Sequence, residues 1–191
     1  MPGKELTRDG LPVRDRITTA MLQRCGELGY GSLSVEDVCE CFGGTAEDFY
    51  SEFGDVGECF AAAYEVEGER ACERWVQLAG RGDWRREQLR NALYELADYV
   101  EQQPAMARSL FLEVHAAGEA AKTKRLEVFD RLAGTFAGRV DSDFPRPTTR
   151  GAFAVGAVDG TFSRTLLQGK QDRLKSIVPE LVEVVSTALR M

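Results

Sequence analysis

Apolar residues recur every three or four positions along most of the chain, the spacing that gathers them on one face of an α-helix. From Val13 to Leu28 the stripe is Ile17, Ala20, Met21, Cys25 and Leu28, and Gly29 stops it. Ser34-Val35-Glu36-Asp37 then has the form of a capping box. The Ser34 oxygen can accept the free N–H of Asp37, whose carboxylate can reach back. A short helix over Val35–Cys41 follows from it. After the Gly43-Gly44 turn, Thr45-Ala46-Glu47-Asp48 repeats the box and opens a second short helix through Phe49, Tyr50 and Phe53.

The same period continues downstream. A long helix is expected from Val56 to Leu78, with Asp55 as its cap and Phe60, Ala63, Tyr64, Ala71 and Trp75 on its apolar side. Gly80–Asp83 breaks it from a helix over Trp84–Gln103 that carries Leu89, Leu93, Leu96, Ala97 and Val100. Pro104 suits the first turn of the next, which runs through Phe111 to His115, and Gly118 ends that one. Ala120–Val140 comes next, with Leu126, Phe129, Leu132 and Phe136 in step. Pro145-Arg146-Pro147 is a rigid link to two closing helices, Thr148–Gln168 and Asp172–Leu189. No segment reads as a hairpin, so the fold class is all-α with about nine helices. A longer amphipathic helix followed by two short capped ones joined at a glycine turn is the outline of a helix-turn-helix.

Composition adds bounds. The 191 residues are 43% hydrophobic and 29% charged, ordinary for a globular chain. No apolar run approaches the ~18 residues of a membrane span, and the first residues lack the apolar stretch of a signal peptide. A cytoplasmic protein is expected. The net charge of −7 is concentrated early. Between Cys25 and Glu69 stand twelve carboxylates and no Lys or Arg. The five cysteines also lie early; an odd number without a signal peptide argues against a disulfide framework. Cys39-x-Cys41 has neither zinc-knuckle spacing nor a nearby histidine, His115 being the only one in the chain. Cys25, Cys39 and Cys59 are expected to be small buried hydrophobes, with a redox or metal role as the alternative.

Val13 to Phe60 resembles, without a gap, the N-terminal domain of the tetracycline-repressor (TetR) family of bacterial regulators. Arg16-Ile17, Ala20 and Leu22 carry the resemblance in the first helix, followed by Gly29-Tyr30 and Ser34-Val35-x-Asp37-Val38. Gly43, the capping Thr45 and Phe49-Tyr50-x-x-Phe53-Gly54 complete it. Phe111-Leu112-Glu113-Val114 with Ala116-Ala117-Gly118 is similar to a segment of one branch of the family. The resemblance implies a reading domain over residues 1–54 and a ligand-binding and dimerisation domain over 55–191. It implies a homodimer that places two recognition helices in successive major grooves of operator DNA and is released by a small hydrophobic effector. DNA contacts would then fall to Ser34, Thr45, Ala46, Glu47, Tyr50 and Ser51. Such proteins pair through their last two helices; here the small-residue stripe of Ala152, Gly156 and Gly160, with Leu181 and Val185 on the Ile177–Leu189 face, would form the dimer interface. Packing within one subunit is the other reading of that stripe.

Trp75, Tyr94, Phe111, Phe129 and Phe136, with His115 beside them, are either plain core or the lining of an apolar effector cavity. No nucleophile motif accompanies His115, and Glu113 and Glu119 have no second feature that makes them an acid–base pair. No catalysis, cofactor or metal is implied. Arg81, Arg85, Arg86 and Arg90 read as a solvated face.

The reading head departs from the family. After Ala46, Glu47-Asp48 stands where Gly-Thr is usual, Ser51-Glu52 where histidines often follow the tyrosine, Asp55-Val56-Gly57-Glu58 where a lysine opens the next helix, and Gly44 where a valine fills the turn. Affinity for a duplex comes largely from cations that displace its counterions. Compensation would rest on helix N-termini, on the Thr45, Tyr50 and Ser51 hydroxyls, on Glu47 accepting from cytosine, and on the basic residues from Lys4 to Arg24. The competing expectation is a protein of the same fold that binds a ligand or partner and has lost operator recognition.

Overall fold

Each expected helix has a counterpart in the computed structural model, which describes residues 11–79, 85–136 and 148–190. Lys4, Arg8, the Gly80–Asp83 break with Arg81, Trp84, the end of the seventh helix to Val140, and Pro145–Pro147 lie outside these residues. Among the described residues there are nine α-helices. They are α1 (Val13–Leu28), α2 (Val35–Phe42), α3 (Ala46–Glu52), α4 (Val56–Ala79) and α5 (Arg86–Gln102), then α6 (Pro104–Phe111), α7 (Gly118–Thr135), α8 (Thr149–Leu167) and α9 (Leu174–Leu189).

One stretch differs from its sequence pattern. The sixth helix stops at Phe111, and Glu113–His115 form a 3-10 turn instead of continuing it. The turn buries Val114 and swings the Glu113 carboxylate onto the Tyr30 N–H at 3.0 Å, a bond that a continued helix would not direct there. His115 is left exposed. Gly118 then opens α7 at φ +88°, a backbone conformation that favours glycine.

The described chain forms two compact units. The first comprises residues up to Val66 together with Ala105–Lys124; the second comprises Glu67–Pro104 and Arg125 onward. In the first, Ile17, Met21, Leu22 and Cys25 of α1 are buried, with Val38, Phe49, Phe53 and Phe60 from the helices that follow. Each such side chain is worth about 1.5–3 kcal/mol in transfer from water. Cys39 and Cys59 are buried too, as expected, and burial pushes the Cys25 thiol up to about 12. Helix α6 lies directly on α1: a Cβ at Gly26 would collide with the Ala105 carbonyl, and Ser109 Oγ donates to the Leu22 carbonyl at 2.5 Å.

The second unit is built on α5, α8 and α9, with Leu89, Leu93, Val100, Phe162, Val178 and Val182 buried. Lys175 ties the start of α9 to α5 through Asp98 at 2.6 Å and Glu101 at 2.8 Å. Arg86 pairs with Glu183, so α5 and α9 run antiparallel. Pro179 sits inside α9 and is exposed.

The close approach at Gly26 yields a contrast that equilibrium urea unfolding can read. Gly26→Ala is expected to cost at least about 2 kcal/mol, because a backbone carbonyl cannot move aside as a side-chain tip can. Gly31→Ala, where nothing lies within 4 Å, is expected to cost nothing and to gain up to about 1 kcal/mol by restricting the unfolded chain. Equal effects at the two positions would refute the close packing of α6 on α1.

Candidate nucleic-acid interface and effector region

Both capping boxes form. Ser34 Oγ accepts the Asp37 N–H at 3.2 Å, while Asp37 Oδ2 accepts from the Ser34 N–H at 2.9 Å and from its hydroxyl at 2.6 Å. Thr45 and Asp48 repeat the pattern at 3.2, 2.8 and 2.8 Å. Hydrogen bonds from the Ser34 hydroxyl and N–H hold the Asp37 carboxyl below the usual carboxylate range; the Thr45 N–H and hydroxyl do the same for Asp48. The turn between the helices is set by Gly43 in the left-handed region at φ 70°. At Gly44 a Cβ would collide with the Phe42 ring. The glycine that looked like a missing core contact is therefore what allows the Phe42 ring to lie over the turn.

Helix α3 keeps Phe49 fully buried, with Phe53 just beyond its end, and leaves Thr45, Ala46, Glu47, Tyr50 and Ser51 exposed. Five of the six expected DNA contacts thus share the open side of one helix; Ser34 is half-buried at the start of α2. The structure limits what these groups can give a phosphate, which needs donors. The hydroxyl hydrogens of Ser34 and Thr45 go to their own capping aspartates, and Ser51 Oγ donates to the Asp48 carbonyl at 2.7 Å. That leaves the phenol of Tyr50, which is 58% exposed.

The arginines of α1 are also engaged by groups of this chain, although Arg14 stays 47% exposed. Arg14 bonds the Glu52 carbonyl at 2.9 Å and its carboxylate at 3.3 Å, with its guanidinium 4.2 Å from the centre of the Phe53 ring. Arg16 donates to the Phe42 carbonyl and faces that ring. Arg24 pairs with Glu27 at 3.1 Å and Glu40 at 3.5 Å and donates to the Asp37 carbonyl. These three contacts clamp α2 and α3 onto α1, a role that sequence spacing did not reveal. The start of α4, a second place where N–H groups can meet phosphate, carries its own carboxylates: Asp55 Oδ1 accepts the Glu58 N–H and Glu58 Oε2 accepts the Gly54 N–H, both at 2.8 Å.

An open cleft of about 740 Å³ lies within the first unit, beside α3. Tyr30, Tyr50, Asp55, Glu58 and Glu119 line it, with glycines and alanines between them. Sequence reasoning named Tyr50 there and missed the rest, since they come from four separate segments of chain.

The residues expected around an effector divide between the units. In the second, Trp75 meets Phe136 edge-on at 5.6 Å, and Phe129 lies 4.0 Å beneath the Arg125 guanidinium, which pairs with Asp159 at 2.7 Å. Tyr94 is half-buried on α5. Tyr99, also on α5, buries its hydroxyl with no hydrogen-bond partner among the described residues, and burial pushes its pKa up. Phe111 and His115 belong to the first unit, where Phe111 is half-buried and His115 exposed.

The expected pairing face is also redistributed. Ala152, Gly156 and Gly160 are exposed, with nothing within 4 Å of a Cβ at either glycine. Leu181 and Val185, by contrast, are 5% and 0% exposed inside their own subunit, so α9 uses them as core. The apolar side chains left uncovered on these two helices are Phe153, Leu167 and Val184.

No family model matches the chain, and no curated protein does. Solved structures of the same fold exist. The fatty acid degradation regulator FadR from Bacillus halodurans superimposes with a TM-score of 0.72 at 15% identity, over 92% of this chain and 95% of that one. FadR from Bacillus subtilis, in complex with stearoyl-CoA, gives 0.69 at 14% identity over 91% and 97%. A TetR-like transcriptional regulator from Rhodococcus sp. RHA1 gives 0.63 at 20% identity over 93% and 96%. The chain therefore has the all-α fold of TetR-like regulators.

Removal of either capping hydroxyl tests the construction of the head. Ser34→Ala or Thr45→Ala is expected to cost about 1 kcal/mol in unfolding. In a carboxyl-detected NMR titration the partner Asp37 or Asp48 should move up towards an ordinary carboxylate value. Because both folded values are depressed, their contribution is complete above the unfolded carboxylate pKa and lost as pH falls through the lowered one. An unshifted Asp37 in Ser34→Ala would contradict the box.

Proposed function

We propose that this protein is a one-component transcriptional regulator: a homodimer that reads operator DNA with α3 and lets go when a small hydrophobic effector binds. The observation that carries the reading is the open side of α3. Phe49 and Phe53 fix its underside, while Thr45, Ala46, Glu47, Tyr50 and Ser51 stay free to meet a major groove. Residues 1–54 form the reading module, and 55–191 hold effector and partner. Trp75, Phe136, Phe129 and Tyr94 supply apolar surface, and the Tyr99 hydroxyl a polar handle, for an effector. A bound apolar-tailed molecule in the Bacillus subtilis FadR supports that chemistry. The exposed stripe of Ala152, Gly156 and Gly160 with Phe153, Leu167 and Val184 suits a second copy. Induction is then a difference in effector affinity between two dimer geometries. The reading includes no catalytic step and assigns the protein to the cytoplasm.

A second reading keeps the fold and drops the operator. It is favoured by the inward use of Arg14, Arg16 and Arg24 and by the absence of any Lys or Arg from Cys25 to Glu69. In that case the acidic face serves a partner, or the protein acts through its ligand-binding domain alone.

Gel retardation with the DNA upstream of the protein's own gene separates the two. The regulator reading expects specific retention at about 50 mM salt, where phosphate contacts are strongest. Ala46→Lys should raise non-specific affinity by adding a cation to the exposed side of α3. No retention of either form supports the second reading. For the dimer, Phe153→Glu is expected to shift sedimentation from two chains to one; an unchanged dimer would move the interface elsewhere.

A further inference from the structure

We propose that the cleft beside α3 is a binding site for a small organic cation, an amine or amidinium carried on an apolar body. The cleft holds about 740 Å³, within the size range of small-molecule sites. Its charged lining is Asp55, Glu58 and Glu119, and no Lys or Arg lines it. An anion would meet three carboxylates, and a neutral molecule would leave them unused. The caps at α4 occupy Asp55 Oδ1 and Glu58 Oε2, so the second oxygen of each remains to accept from a ligand. Glu119 pairs with Lys122 at 2.8 Å on the exposed side of α7 and contributes the weakest pull of the three.

Aromatic surface accompanies this charge. Tyr30 and Tyr50 line the cleft from different segments, and each ring is held edge-on by a buried phenylalanine, Phe60 at 5.6 Å and Phe49 at 5.5 Å. A cation close to such a ring is attracted by its quadrupole. The two kinds of group converge at Gly57: a Cβ there would lie 3.2 Å from Asp55 Oδ1 and 3.4 Å from the Tyr30 hydroxyl oxygen. The missing side chain keeps that point open. Gly54 and Gly118, with the buried Ala61 and Ala117, keep much of the remaining wall low, and Val35 and Val56 give it apolar surface for the body of a ligand. An occupant would touch α3 through Tyr50, α2 through Val35 and the start of α4 together, so the reading head itself would feel it.

Three probes of one shape test the charge requirement on the full chain without DNA, so the outcome does not depend on operator binding. They are 4-phenylbutylamine, 4-phenylbutanol and 4-phenylbutyrate, titrated at low salt by calorimetry and by NMR of the tyrosine rings. The amine should saturate at one per chain with shifts at Tyr30 and Tyr50, and the alcohol and acid should bind at least about tenfold more weakly. Gly57→Leu, which keeps every carboxylate and fills the convergence point, should abolish binding. Asp55→Asn, which retains a capping oxygen, should weaken it about three- to tenfold. Glu180→Gln, a carboxylate lost from the exposed side of α9, should change nothing. The proposal fails if the acid binds as well as the amine, if Gly57→Leu leaves the amine's affinity intact, or if Glu180→Gln weakens it as much as Asp55→Asn. It fails equally if the amine shows no saturation to about 10 mM. Binding of a Lys-rich peptide with this variant pattern, in the absence of amine binding, would assign the cleft to a polypeptide and overturn the small-ligand reading.

Discussion

The groups that hold α2 and α3 in place are the groups that the proposed reading head would need to hold DNA. A helix of seven residues such as α3 cannot stand alone, since nucleation costs more than so few bonds return. It is kept in place by Phe49 and Phe53 beneath, by the Thr45–Asp48 box at its start and by Arg14 at its end. Helix α2 has the same construction, with Ser34–Asp37 at one end and Arg16 on the Phe42 carbonyl at the other. Carboxylates at helix starts and cations at helix ends are the stabilising arrangement. Here that arrangement consumes the hydroxyl hydrogens of Ser34 and Thr45 and all three arginines of α1. What remains on the exposed side of α3 is a phenol, a methyl group and carboxylate.

This trade gives the acidic head a physical meaning. Glu36, Asp37, Glu47 and Asp48 lie in the first turns of α2 and α3, where negative charge favours the helix and opposes a duplex. If α3 reads DNA as proposed, a head built this way gains little from general attraction to phosphate and must find its affinity in base edges and shape. Tyr50 belongs to both sides of this balance. It is the free phenol on α3 and a wall of the acidic cleft, so DNA and a cation in that cleft would compete for the same ring or share it.

Short-range features of the sequence were legible, and long-range ones were not. The bounds of α1 and both capping boxes follow from spacings of three and four residues, and the structure has them where the spacing puts them. The break after Phe111 escaped notice because Val114 keeps the helical period across it, and the bond that turns the chain there comes from Tyr30, 83 residues away. The same period puts His115 on the sixth helix, whereas it lies exposed in the 3-10 turn. Arg14 and Arg16 find their partners 38 and 26 residues along, beyond the reach of a helical stripe. In α9 the apolar period identified a buried face correctly but not its neighbour: Leu181 and Val185 pack within the subunit, and Val184 is the residue left outside. Gly44 shows the limit of reading by substitution, since the volume a valine would fill is taken by the Phe42 ring.

The salt dependence of operator binding tests the central claim most directly, because its slope counts the phosphate charges that the protein neutralises. A head whose arginines are committed inward predicts a shallow slope, with affinity falling only about tenfold between 50 and 200 mM salt. A fall of about a thousandfold or more over that interval would mean that six or more cations reach the backbone, and would contradict the account.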